Sequence, residues 1–430
     1  MKAYTSNNIR NIAVLGHGGK GKTTLCEAML YIAGASDRLG RVADGNTVLD
    51  FDSEEKRRKS SVSSAIAALE WDNTKLNIID APGLFDFEGG AAEAVRAAEA
   101  VLIVTSAGSG VDVGTEKAFR AAEKKGAAKF FAITKTDSDH RNFYKTFDAL
   151  KEVYGNKLCP TIIPYMEGNI TKCYVNLMTG MAFSYDENGK ATKVPVPEDS
   201  VIEEMTSAFM EAVATTDDAL MEKFFEGEKF TKEEILKGLC IGIFDGSIYP
   251  VYAVSGLTCA GVDQLLYGLA WSAPGAFGYA GEKCTYENGE EGILPCDENG
   301  PLAAVCFKTI ADPFVGKMSF FKVVSGKLAP DTAAYNFRTG EIEKMGKIVF
   351  VKGAKQEDAP AIIAGDIGVV TKMAGVKTGD TLCDPKNILK LAGVDFPKPC
   401  LSMPTYSAPS FTTSKSPRPK KTGLRRGRAS

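Results

Sequence analysis

A glycine-rich stretch near the amino terminus has the residue types and spacing of a phosphate-binding loop. It runs Gly16-His17-Gly18-Gly19-Lys20-Gly21-Lys22-Thr23 and fits the pattern G-x-x-x-x-G-K-[ST]. Glycines let successive amides point at a triphosphate, Lys22 supplies charge for the β- and γ-phosphates, and the Thr23 hydroxyl can bind Mg²⁺. Thr24 opens the predicted helix that follows. The dinucleotide pattern G-x-G-x-x-G and an ordinary glycine-rich turn also fit, but Lys22-Thr23 at this offset favours the phosphate loop.

A second motif follows an apolar strand further along the chain. Asp80-Ala81-Pro82-Gly83 places a carboxylate and a flexible amide three residues apart. Asp80 could hold an Mg²⁺-bound water, and the Gly83 amide could contact a γ-phosphate. A plain turn at the end of a strand would look the same, so this motif gains its meaning from the phosphate loop before it.

Two further motifs could recognise the base of a nucleotide. In Thr134-Lys135-Thr136-Asp137, one carboxylate can accept both N1–H and the 2-amino group of guanine, and Lys135 would lie along the purine face. Adenine lacks this donor pair, so Asp137 would select GTP over ATP. Ser255-Gly256-Leu257 could direct an amide at guanine O6. Each could be a surface turn when taken alone, but all four motifs in this order predict GTP.

The strands and helices around the motifs predict an α/β domain with a mostly parallel sheet covered on both faces. Each motif would then lie at the carboxyl edge of the sheet. A block at about 160–245 has a turn at Asp186-Glu187-Asn188-Gly189 and helix patterns at 200–215 and 217–226, which predict an inserted subdomain. The predicted strands lie at residues 11–15, 75–80, 100–105, 129–134 and 249–255.

After Pro274 the pattern changes to short strands separated by turns, with no long helix between 300 and 385. This pattern of short strands and turns predicts an antiparallel β-barrel. The predicted organisation is a GTP-binding domain, a barrel domain, a linker with the start of a third domain, and a disordered basic tail. Their predicted bounds are 1–275, 276–388, 389–403 and 404–430.

Composition excludes several other classes of protein. The chain has 430 residues, with 51 basic and 54 acidic side chains, and it lacks the run of ~20 apolar residues that a membrane helix needs. Its polar start is unlike a signal peptide, and ten dispersed cysteines without a Cys-x-x-Cys pair indicate a reducing cytosol. With only His17 and His140, a multi-histidine metal site is excluded for practical purposes.

The four motifs and several further stretches resemble the translational GTPases, most closely elongation factor G and its paralogues. The resemblance runs from about residue 8 to residue 403. It includes five stretches beyond generic GTP binding: Asn77-Ile78-Ile79-Asp80-Ala81-Pro82-Gly83, Asp312-Pro313-Phe314-Val315-Gly316-Lys317, Ser319-Phe320-Phe321, Ala364-Gly365-Asp366-Ile367 and Thr378-Gly379-Asp380-Thr381-Leu382-Cys383-Asp384.

The resemblance implies a cytoplasmic monomer that binds GTP and GDP with Mg²⁺ and hydrolyses GTP to GDP and phosphate on the ribosome. It implies no membrane or DNA partner. The family's first switch loop falls on residues 50–71, in which the charged run 54–59 is predicted to be a solvated, mobile loop. Roles in hydrolysis fall on four positions: Lys22, Ser61, Gly83 and Leu84. Three residues would contact Mg²⁺: Thr23, Ser61 and, through water, Asp80.

Three residues depart from the family pattern. Leu84 stands where elongation factors have the histidine that positions the attacking water, so we predict hydrolysis slower by ~10²–10⁴-fold. Thr134 replaces an asparagine that braces the base, which predicts lower nucleotide affinity. Gly19 replaces an aspartate, so a monovalent-cation contact does not carry over to this position.

The last residues depart from the family altogether. Residues 404–430 carry seven basic side chains and no acid, so the preceding residues hold 44 basic and 54 acidic ones, a net charge of −10. We expect a truncated or out-of-frame end that is not competent for translocation; a basic arm that touches RNA phosphates is the alternative. For function, the alternatives are a GTP-dependent switch that docks on the ribosome and hydrolyses little, and a ribosomal-protection or release-factor relative.

Overall fold

The computed structural model describes residues 2, 4–138, 142–168, 170–312, 315–330 and 332–398. Met1–Phe396 form one compact unit, and of the remaining residues only Pro397 and Lys398 are described. The predicted basic tail, the end of the predicted linker, His140 and Pro313-Phe314 lie outside the described residues.

The amino-terminal half contains the predicted parallel sheet. Six parallel strands lie in the order β3-β1-β4-β5-β10-β6; β2 pairs antiparallel with β3, and β7, β8 and β9 extend the other edge antiparallel. The strands are β1 Ile9–Leu15, β2 Ala65–Trp71, β3 Thr74–Asp80, β4 Ala100–Ser106, β5 Ala128–Thr134, β6 Leu158–Glu167, β7 Ile170–Asn176, β8 Met181–Tyr185, β9 Ala191–Val194 and β10 Tyr249–Ala253.

Helices connect and cover these strands. Every residue of β1 except Arg10, and every residue of β4 and β5, is buried, as expected of parallel strands that helices cover on both faces. The helices are α1 Lys22–Ile32, α2 Ser53–Arg58, α3 Glu88–Ala97, α4 Val113–Lys125, α5 Phe143–Tyr154, α6 Ser200–Ala214, α7 Asp218–Glu226, α8 Lys232–Asp245 and α9 Val262–Ser272. None of the described helices is both long and apolar enough to cross a membrane.

Most of residues 54–59 are helical, so the prediction of a loop is wrong for that part of the run. Ser53–Arg58 form helix α2, because Asp52 and Glu55 make a reciprocal capping box that satisfies amides at the helix start. The helix ends at Lys59, which has a left-handed conformation with φ 53°. The exposed charges of this run therefore lie on an ordered helical turn.

The carboxyl-terminal half is an antiparallel β domain, which confirms the predicted fold class. Eight strands lie in the order β17-β16-β22-β13-β14-β21-β18-β19, β15 pairs with β20, and β11 lies between β12 and β23. No helix occurs among the described residues of 300–385. The strands are β11 Glu282–Tyr286, β12 Glu291–Leu294, β13 Ala303–Asp312, β14 Gly316–Ser325, β15 Lys327–Leu328, β16 Ala334–Asn336, β17 Glu341–Glu343, β18 Ile348–Lys352, β19 Lys355–Asp358, β20 Ile362–Ile363, β21 Ile367–Thr371, β22 Thr381–Cys383 and β23 Leu389–Leu391. The predicted linker thus begins with a paired strand.

Buried ion pairs join the parallel sheet domain to the antiparallel domain. In each pair one charged residue belongs to the parallel sheet domain and the other to the antiparallel domain, and both side chains are largely shielded from solvent. The Lys75 ammonium also lies 3.6 Å from the centroid of the Phe350 ring. Four pairs form this ionic interface: Lys75–Asp366, Glu93–Lys308, Glu99–Lys322 and Arg96–Glu282.

Candidate functional site

The phosphate loop occupies the turn between β1 and α1. Gly16, Gly19 and Gly21 have φ of 139°, 75° and 89°, which only glycine adopts readily. A Cβ on Gly16 would lie 2.2 Å from the Val104 carbonyl oxygen, so a side chain is also excluded by space. The helix begins at Lys22, two residues before the predicted start.

Lys22 lies at the centre of this loop. Its Nζ donates to the carbonyl oxygens of Gly16 and His17, at 3.0 Å each, and the loop therefore wraps around its ammonium. Burial lowers the pKa of Lys22, while the nearby Asp80 carboxylate opposes that shift. A Cβ on Gly83 would lie 2.2 Å from Nζ, which places the Asp80-Gly83 turn directly over the loop, as the motif order predicted.

A cluster of hydroxyls and carboxylates lies beside Lys22. The Thr23 hydroxyl donates to Asp80 Oδ2 at 2.7 Å and lies 3.1 Å from Ser61 Oγ. The Ser61 hydroxyl also acts on Asp50, because it lowers the pKa of that carboxyl against the effect of burial. All four residues are buried, and within the described part of the chain Asp80 Oδ1 and Asp50 Oδ2 have no hydrogen-bond partner. The structure therefore brings together all three predicted Mg²⁺ contacts.

These residues fit a magnesium ion. Mg²⁺ takes oxygen ligands and is usually bound through one or two carboxylates together with phosphate oxygens and water. The two unpartnered buried carboxylate oxygens and the two hydroxyls supply such a donor set. Among the described residues, no group of three or more His, Cys, Asp or Glu side chains is placed to hold a metal ion.

Sequence reasoning missed Asp50 as a site residue. It stands three residues before α2, and it is only 3% exposed. Glu27, on α1, accepts hydrogen bonds from the backbone amides of Val48 and Leu49 at 2.8 and 3.0 Å. These bonds hold the backbone immediately before Asp50 against α1. The only sequence signal was an aspartate after an apolar Val-Leu pair at the start of the predicted switch loop.

Burial raises the pKa of Asp80 to about 7 and that of Asp50 to about 6, although the hydroxyls of Thr23 and Ser61 respectively oppose the rise. Both pKa values lie above the ordinary value near 4. The folded protein therefore holds more protons than the unfolded chain between about pH 4 and 7, and these two groups lower stability as pH rises through that window.

We expect the Tm of metal-free protein to fall by a few degrees from pH 5 to pH 8 through this effect. Mg²⁺ with GDP should raise Tm more at pH 8 than at pH 6, because the cation replaces protons on the carboxylates. Differential scanning fluorimetry measures both. Asp80→Asn, which cannot ionise, should flatten the dependence; parallel Tm curves for the variant and the native chain would contradict the assignment.

Leu84 and His17 lie at the outer side of the loop. Leu84 is 41% exposed, and its Cδ2 would lie 3.1 Å from a Cβ on Gly18. The His17 ring packs edge-on against Phe85, with 5.7 Å between centroids. The leucine side chain has no donor or acceptor that could orient a water, so it contacts the loop without a hydrogen bond.

The predicted base-recognition residues follow β5, beside the phosphate loop. The Thr134 hydroxyl donates to the Lys20 carbonyl oxygen at 2.6 Å and also lies 3.0 Å from the Thr105 carbonyl oxygen. Lys135 Nζ donates to the Gly19 carbonyl oxygen at 2.8 Å. Thr134 therefore braces the loop despite being shorter than asparagine. Asp137 is exposed at the end of this motif.

Ser255, Gly256 and Leu257 follow β10. Ser255 is fully buried, and its Oγ accepts the amide of Thr258 at 3.2 Å. A Cβ on Gly256 would lie 3.0 Å from the Thr24 carbonyl oxygen, so this turn packs on the first turn of α1. Leu257 is exposed. All four motifs therefore come from the carboxyl ends of β1, β3, β5 and β10.

Comparison with known proteins decides the family. Residues 7–274 match the sequence model of the elongation factor Tu GTP binding domain. The chain belongs to the translational GTPases. Residues 301–385 match elongation factor G domain 2, so the antiparallel domain of this translational GTPase has a family counterpart too.

Relatives of this translational GTPase are known from sequence and structure. Elongation factor G-like proteins of two Mycobacterium tuberculosis strains are each 32% identical over 413 residues, 91% of this chain and 57% of the relative. The crystal structure of a Thermus thermophilus protein superposes with a TM-score of 0.77 at 30% identity, over 88% of this chain and 54% of that one. The chain thus spans little more than half the length of these relatives.

Proposed function

We propose that the chain binds GTP and GDP with Mg²⁺ and hydrolyses GTP to GDP and phosphate in association with the ribosome, in the cytoplasm. One observation carries this proposal. Lys22, the Thr23–Asp80–Ser61 cluster and the Thr134-Lys135-Thr136-Asp137 motif lie along one edge of the sheet, within a domain of the translational GTPase family. This arrangement supports recognition of phosphate, cation and base at one edge.

Each part of the edge has a proposed role. The loop amides and Lys22 bind the phosphates, and the positive end of α1 favours their negative charge. Thr23 and Ser61 offer hydroxyl oxygens to Mg²⁺, and Asp80 holds it through water. Asp137 accepts hydrogen bonds from the guanine N1–H and 2-amino groups, and Lys135 lies along the face of the purine. Ser255-Gly256-Leu257 directs a backbone amide at guanine O6. The bound cation would neutralise charge that develops on the phosphates.

Leu84 supports a second candidate, a switch that binds GTP and docks on the ribosome with little hydrolysis. The position that follows the Asp80-Gly83 turn carries a side chain without donor or acceptor. Both candidates need GTP binding and the ribosome, and they differ only in phosphate release. We propose the slow enzyme, because the other groups of the site are in place.

Two measurements test the proposal, the first for nucleotide binding and the second for hydrolysis on the ribosome. A fluorescent guanine nucleotide is bound to the full chain and displaced with GTP, GDP or ATP, with and without Mg²⁺. Displacement by GTP and GDP but not ATP is expected, and equal displacement by ATP would contradict the proposal. Ribosome co-sedimentation with GTP or a non-hydrolysable analogue, with phosphate measured in the GTP sample, then separates the slow enzyme from the switch.

A further inference from the structure

The segment of chain that contains Asp50 and Ser61 is contacted at both of its ends by the antiparallel domain. We call residues 48–64 the switch segment. At its start, Gly353 between β18 and β19 packs so tightly that a Cβ would lie 2.0 Å from the Val48 carbonyl oxygen. The Gly353 amide also donates to the Ile66 carbonyl oxygen at 3.0 Å.

At the other end, a buried lysine of the antiparallel domain binds the switch segment directly. Lys308 on β13 is 3% exposed, and its Nζ donates to Ser63 Oγ at 2.6 Å, Ser64 Oγ at 2.9 Å and Glu93 Oε2 at 2.9 Å. Ser64 Oγ in turn donates to Glu93 Oε2 at 2.7 Å. An ammonium has three donors, and each is used here.

The serines that Lys308 contacts lie close in sequence to Ser61 of the candidate metal site. Ser63 is two residues after Ser61, and the buried Glu55 carboxylate accepts the amides of Val62 and Ser63 at 3.0 and 3.2 Å. The backbone around Ser61 is therefore held from two directions. Glu93 lies on α3, the helix that follows the Asp80-Gly83 turn, so one ammonium joins the switch segment to that helix.

We propose that Lys308 is a positioning residue that fixes the Ser61 hydroxyl at the Mg²⁺ site, so that the antiparallel domain sets the affinity for Mg²⁺ and, through it, for the nucleotide. The inference rests on the proposed function, because it assumes that this cluster binds Mg²⁺ with a guanine nucleotide. Residues that orient metal ligands commonly contribute about 10–100-fold to metal affinity.

The test uses Lys308→Met in the full chain, with Lys322→Met as a matched control. Both lysines are buried on neighbouring strands and pair with a glutamate of the sheet domain, but Lys322 reaches Glu99 and the Ala97 carbonyl oxygen, away from the switch segment. Retention of a fluorescent, non-hydrolysable GTP analogue is measured against Mg²⁺ concentration, because switch residues contact the cation in the triphosphate state. The Mg²⁺ midpoint should rise by on the order of 10-fold for Lys308→Met and stay unchanged for Lys322→Met.

A second variant guards against misfolding. Ser63→Ala with Ser64→Ala removes the hydroxyls that Lys308 binds and keeps the Lys308–Glu93 pair, and it should shift the midpoint in the same direction by a smaller factor. Unshifted midpoints in both variants, or equal shifts in Lys308→Met and Lys322→Met, would overturn the inference. If the native chain binds no guanine nucleotide at any Mg²⁺ concentration, the proposed function fails instead.

Discussion

Asp137→Asn is expected to lower the ratio of GTP affinity to xanthosine triphosphate affinity by about 10⁴-fold. The Asp137 carboxylate would accept both N1–H and the 2-amino group of guanine. Asparagine places an amide donor against the 2-amino group, whereas xanthine carries an oxygen there that accepts it. A site that leaves such polar groups unpaired rejects the wrong base strongly. Displacement of a fluorescent guanine nucleotide by the two triphosphates measures the ratio.

The variant should fold normally, because Asp137 is exposed and surface substitutions usually change stability by less than about 0.5 kcal/mol. Asp148→Asn is the matched control, since Asp148 is an exposed aspartate on α5. It should leave both affinities as they are in the native chain. GTP binding by Asp137→Asn as tight as that of the native chain would show that another group selects the base.

Leu84→His is expected to accelerate ribosome-stimulated GTP cleavage by on the order of 10²-fold or more. Leu84 is 41% exposed beside the phosphate loop, so an imidazole can replace it without a cavity or an overpacked core. The imidazole would orient the attacking water, which the leucine side chain cannot do. Single-turnover cleavage with ribosomes, in the native chain and the variant, measures the gain.

Leu84→Met separates the chemistry of the imidazole from a change of packing. Methionine keeps an apolar side chain of similar volume, and such replacements usually cost less than about 1.5 kcal/mol. Its cleavage rate should match that of the native chain. Equal rates for Leu84→His and the native chain would mean that the leucine is not what limits hydrolysis.

The phosphate loop and its companions were predictable because their chemistry restricts residue type. Only glycine readily adopts the φ values at Gly16 and Gly21, and a lysine at this offset is the residue type that phosphate loops require. The fold class followed from the alternation of strands and helices. The start of α1 could not be predicted from that alternation, since the helix begins at Lys22, directly after Gly21 in a left-handed conformation.

Other features depend on contacts between distant residues. The local pattern marks Asp50 only as an aspartate after Val48-Leu49, and its place in the site depends on Ser61 and Lys22, which act on its carboxyl from elsewhere in the chain. Thr134 suggested weaker bracing, yet its hydroxyl reaches the Lys20 carbonyl oxygen across the fold. Helix α2 could have been found from the spacing of Asp52 and Glu55, which is that of a capping box, but its dense charge indicated a loop.

The ionic interface has a consequence for exchanging domains between relatives. Each charge of Lys75–Asp366, Glu93–Lys308, Glu99–Lys322 and Arg96–Glu282 has its partner in the other domain. Removing one partner of a buried pair costs about 3–5 kcal/mol, whereas replacing both together can be neutral. A chimaera that takes its antiparallel domain from another protein would therefore have to import both halves of every pair. The two domains are expected to change through paired substitutions and to be inherited as one unit.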